Sequence, residues 1–197
     1  MANIKNAQGK NAVIEDLAST IAAWSLSTTG TLLSDMYEIL MEDGITPEQD
    51  YKVHMEMLTF FLLDFERYAQ CSGGEGFLDL VYNEIVDGAI NLVLDEIDGV
   101  PQKNREEKTL YSLDYYNSAA KEYDTCQVLV EKKPDYEGSH TVLGKLGTRV
   151  ASALGKPPIP EIIDMVSVVA AEALAESELK KRVTEASLLV GEYPELE

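Results

Sequence analysis

Residues 79 to 98 carry the one regular spacing in this chain that could do chemistry. Asp79, Asn83, Asp87, Asn91 and Asp95 recur every fourth residue, and Glu84 stands three before Asp87. On a helix, residues four apart stack along one side, so the series makes an oblique polar ridge beside the apolar positions Phe77, Leu78, Val81, Ile85, Val86, Ala89, Leu92 and Val93. Like charges one turn apart, as Glu84 and Asp87 are, oppose the helix unless something neutralises them. A hard cation would do so, because Mg²⁺ and Ca²⁺ prefer carboxylate and carbonyl oxygens; a basic partner would do so as well. The metal-ligand candidates are Asp79, Glu84 and Asp87. The alternative is the solvated face of an amphipathic helix.

Two further polar residues break an apolar pattern. The run MEMLTFFLLDFERYA, residues 55–69, holds Asp64, and His54 precedes it. At 100° per residue from Tyr51, an arc holding Lys52, Glu56, Thr59, Glu66, Arg67 and Gln70 is expected to face water, with Leu63 the apolar exception on it. Nearly all the rest of the circumference is apolar, which places this helix at the centre of its fold. Asp64 falls at about 220°, between Phe60 and Met57, and His54 at about 300°, between Phe61 and Phe65. They are ten residues apart, about 15 Å along a helix, so each needs its own partner. Asp64 reads either as a site carboxylate or as an acceptor for a tyrosine hydroxyl or a helix terminus; His54 reads as a satisfied core or boundary histidine.

Other chemistries lack their residues. The second histidine, His140, stands at a helix start, and two histidines do not make a zinc or di-iron site. The inward Glu-x-x-His of ferritin-like bundles is missing. Cys71 and Cys126 belong to no Cys-x-x-Cys pair and read as reduced thiols. No Ser/His/Asp or Cys/His arrangement can be argued.

Residues 83–98, NEIVDGAINLVLDEID, resemble the second metal-binding helix of the all-α nucleoside triphosphate pyrophosphohydrolases. Glu84 and Asp87 match that family's Glu-x-x-Asp ahead of an apolar helix. The resemblance covers 16 residues and implies an Mg²⁺-dependent hydrolase of nucleotides. The family's upstream Glu-x-x-Glu has no counterpart, since Glu56, Asp64 and Glu66 stand at other spacings, and the cationic residues that would hold a triphosphate are not evident nearby.

The elements that must position these residues are helical. Periodicity predicts a helix over about 11–43, interrupted near 27–30 by SLSTTG; helices over about 47–71, 76–97 and 105–132; a small-residue helix over 139–154; and a long final helix over about 160–190. Thr46, Pro47 and Gln49 form a helix-start signature, and Ser72-Gly73-Gly74 a stop. The expected fold is an all-α compact bundle of six to seven helices with a long C-terminal helix. KPPIP suggests a boundary between a bundle over 1–157 and a C-terminal arm over 158–197, packed on the same domain or paired with another copy in a homo-oligomer.

Charge narrows the function classes. The chain of 197 residues has a formal net charge of −19. Residues 11–100 hold 18 acids and two bases, Lys52 and Arg67, whereas residues 101–197 hold 17 acids and 12 bases. Such a field repels phosphate backbones and anionic membranes, so nucleic acid and membrane partners are not expected. It attracts basic proteins and divalent cations. No window has the roughly 18 apolar residues of a bilayer span. The reading is a cytoplasmic, non-catalytic binder, inhibitor or adaptor for a basic protein, with the hydrolase and a structural subunit as alternatives.

Overall fold

A computed structural model describes residues 2–37, 44–101, 104–126 and 141–191. Among them every regular element is an α-helix: α1 (Ala2–Asp35), α2 (Pro47–Glu96), α3 (Arg105–Tyr123), α4 (Val142–Ala153), α5 (Pro160–Glu176) and α6 (Leu179–Gly191). The protein is an all-α bundle, as its periodicity predicts.

The 50-residue run of α2 is not one rod. The rings of Phe65 and Tyr82 lie 6.3 Å apart, although 17 residues of straight helix would separate them by about 25 Å. A Cβ built on Gly99 would overlap the Pro47 carbonyl oxygen, at the opposite end of the run. The run therefore folds back on itself. Both pairs are centred on Gly73, so the reversal falls at the Ser-Gly-Gly sequence read as a stop. The backbone keeps helical turns through it, but the chain makes two antiparallel arms. The first arm starts as read: Thr46 accepts from the Gln49 amide (3.2 Å) while the Gln49 side chain accepts from the Thr46 amide (2.8 Å), a capping box with Pro47 in the first turn.

Two other boundaries depart from expectation. No break occurs in α1 at 27–30. Ser25, Thr28 and Thr29 are buried there, and each hydroxyl donates to a carbonyl three or four residues back. That bond satisfies the polar group without leaving the helix. The C-terminal stretch is helical but divided. Glu178 adopts φ 51°, and the buried Ser177 hydroxyl donates to Leu174 O (2.8 Å) and accepts from the Leu179 amide (3.2 Å), ending one helix and opening the next. The break lets Ile162, Val166 and Ala170 on α5 and Leu179, Val183 and Ala186 on α6 enter the same buried cluster as α1 and α2. The expected span over 38–43, the ends of the helices at 127–132 and 139–140, and His140 lie outside the described residues.

The first arm of α2 is the centre of the core, with Tyr51, Val53, Met55, Met57, Leu58, Phe60, Phe61, Leu62 and Phe65 all buried. The arc expected to face water is corrected in part. Lys52, Glu66 and Arg67 are half-buried and Gln70 is exposed, but Glu56, Thr59 and Leu63 are buried. A wheel records direction and not coverage: α3 and α4 lie across that part of the arc.

Candidate functional site

The ridge on the second arm of α2 lies outward. Asp79, Asn83, Glu84, Asp87 and Asp95 are exposed. Two of them are answered from neighbouring helices: Lys10 Nζ meets Glu84 Oε1 at 2.9 Å, and Arg105 Nη1 meets Asp95 Oδ1 at 2.9 Å. Asn91 is tied inward, donating to Asp87 O (2.9 Å) and accepting from the Thr109 hydroxyl (2.9 Å). Asp79 and Asp87 make no ion pair with a described residue. Among the described residues no three histidine, cysteine or carboxylate side chains come together as metal ligands. Asp79, Glu84 and Asp87 share a face but do not form a coordination cluster. The acids that would have had to converge on them are engaged or buried elsewhere.

Glu56 is the clearest case. Its side chain is 1% exposed and is gripped on all sides. Arg149 of α4 donates from Nε to Oε2 and from Nη2 to Oε1, both at 2.7 Å. The hydroxyls of Tyr115 and Tyr123 of α3 donate to the same carboxylate, Tyr123 at 3.3 Å, and Arg149 also pairs with Glu122. The guanidinium sits 5.9 Å from each tyrosine ring centroid. Burial disfavours the charge of Arg149, yet its hydrogen bonds to Glu56 hold its pKa above the usual value. Burial, followed by the Glu56 charge, holds Tyr115 and Tyr123 above the normal phenol range. These groups neither give nor take protons near neutrality. The carboxylate has its acceptor positions filled, so the cluster is a clamp joining α2, α3 and α4. Sequence reading missed it; the signal was the tyrosine pair at 115 and 123, eight residues apart on one face of α3.

Asp64 is 0% exposed, and neither carboxyl oxygen has a hydrogen-bond partner among the described residues. Of its two readings, the acceptor one is not met: no described tyrosine hydroxyl or helix terminus bonds to it. Burial raises its pKa to about 7, with Arg67 one turn on pulling the other way. A buried Nη1 of Arg67 also lacks a partner. His54 is satisfied, as expected of a boundary histidine: Nδ1 donates to Asp50 O at 2.9 Å, and Asp50 Oδ1 lies 3.5 Å away.

Across the rest of the surface, Glu15, Asp35, Glu96 and Asp98 are exposed and, like Asp79 and Asp87, make no ion pair with a described residue. No helix among the described residues is long and apolar enough to cross a membrane.

No family model, no curated protein and no solved structure matches this chain. Its function has to be argued from its own residues.

Proposed function

We infer that this chain is a non-catalytic helical module that binds a basic protein, as a binder, inhibitor or adaptor. The observation that carries the reading is the set of six exposed carboxylates, Glu15, Asp35, Asp79, Asp87, Glu96 and Asp98, without internal countercharges among the described residues. They stand in a segment that holds 18 acids and two bases. Had local lysines and arginines neutralised those acids, the field would be short-ranged and a basic partner would gain little from it. Left open, they steer a cationic surface toward the module and select against anionic ones. The nucleotide-hydrolase alternative has less support, because Glu84 is paired with Lys10 and no third ligand among the described residues joins it and Asp87.

The test is a pull-down from cell extract at about 50 mM and about 500 mM NaCl, where the Debye length shrinks well below 10 Å. Basic proteins retained at low salt and released at high salt are the expected outcome; retention of nothing at low salt overturns the reading. A second reading, self-association, is favoured by Leu188 and Leu189 on α6, which are 65% and 50% exposed. Sedimentation at several protein concentrations separates the two.

A further inference from the structure

One groove combines acids with an aromatic face. It lies between α1 and α5, with a volume of about 170 Å³. From α1 come Trp24, Thr28, Thr31 and Asp35, spaced by four, three and four residues along one helix face. From α5 come Val169, Glu172, Ala173 and Glu176. The lining mixes hydroxyls and carboxylates with Trp24, Val169 and Ala173, and Trp24 is half-buried. Asp35, Glu172 and Glu176 are exposed, and none makes an ion pair with a described residue. Among the described residues no lysine or arginine lines the groove. Two larger cavities differ in this respect: one carries Arg182, and the other carries Lys52, Lys145 and Arg149.

We propose that the α1/α5 groove receives a lysine or arginine side chain from a basic protein partner. This deepens the reading given above and rests on it. The occupant follows from charge complementarity. Three uncompensated carboxylates demand a cation. The indole of Trp24 provides the ring type that holds a cation best and also an apolar surface for an alkyl stem. The surrounding field favours the same charge.

Trp24 is the only tryptophan of the chain, so its fluorescence reports on this groove alone. The experiment titrates hexalysine into the full chain at low salt, with hexaglutamate as control. It is repeated with E172Q/E176Q and with D79N/D87N, all four positions being exposed, and far-UV circular dichroism checks that each variant folds. Binding with a change in Trp24 fluorescence is expected. It should weaken about tenfold in E172Q/E176Q, with the fluorescence change lost, if each contact is of the size usual for exposed ion pairs. D79N/D87N should keep the fluorescence change. If E172Q/E176Q binds like the parent while D79N/D87N does not, the groove is overturned and the basic-partner reading stands. Failure of hexalysine to bind the parent chain overturns both.

Discussion

At the scale of single residues, Asp64 sets the most direct test. The folded chain raises its pKa from an ordinary 3.8 to about 7, first through burial. The fold therefore holds this proton more tightly than the unfolded chain does. Stability from this source is full below the unfolded pKa and is lost as pH rises through about 7. One pKa unit is about 1.4 kcal/mol, so the ionised form costs the fold about 4 kcal/mol at pH 8. Asp64→Asn, of similar shape and never ionised, should match the parent near pH 4 and exceed it by about 4 kcal/mol at pH 8. Urea unfolding of both proteins at the two pH values measures it. An equal difference at both would mean that Asp64 finds a partner. The sequence located Asp64 in the core because its neighbours are apolar. It did not locate Glu56 there, because a wheel shows where a side chain points and not what lies across from it. Arg149 is 93 residues away, and only the packing of α4 brings it to Glu56.

At the scale of elements, the legible signals were those fixed by local chemistry. Thr46, Pro47 and Gln49 start α2 through hydrogen bonds made within four residues. Gly73 and Gly74 mark where the two arms reverse. What escaped was decided by packing. SLSTTG looks like a helix breaker, yet in a buried setting its hydroxyls bond back to the helix. Ser177 looks like any serine in a helical run, yet its buried hydroxyl ends one helix and starts the next. The glycines test this division. Gly30 lies in α1 with nothing within 4 Å of a Cβ, so Gly30→Ala should stabilise by about 0.5–1 kcal/mol through the lower entropy of the unfolded chain. Gly99 has φ 87°, and any Cβ would meet Pro47 backbone atoms, so Gly99→Ala should destabilise by more than about 1 kcal/mol and loosen the closure of the two α2 arms. Thermal melts of the two variants should move in opposite directions. A Gly99→Ala variant as stable as the parent would show that the arms do not meet at that end.

At the scale of the whole molecule, composition made the sign of the surface legible, while its pairing was not. The charge of −19 follows from counting; that Lys10, Arg105 and Arg182 cross to Glu84, Asp95 and Asp16 follows only from how the helices pack. Those bridges are largely exposed, and such pairs are each worth about 0–1 kcal/mol. They leave most of the repulsion in place. Salt screens repulsion among surface charges while hardly touching the buried Glu56–Arg149 pair. The melting temperature should therefore rise as NaCl goes from about 20 to about 500 mM, where the Debye length shortens from tens of ångströms to a few. Mg²⁺ separates general screening from a specific site. If Asp79, Glu84 and Asp87 only face solvent, MgCl₂ and NaCl matched in ionic strength should give the same melting temperature. If they bind the ion, Mg²⁺ should add a shift growing as the logarithm of its concentration above the dissociation constant, as required of a ligand that binds only the folded form. Asp87→Asn should then abolish the extra shift. That result would return the carboxylate ridge to cation chemistry and remove two of the side chains on which recognition of a basic partner rests.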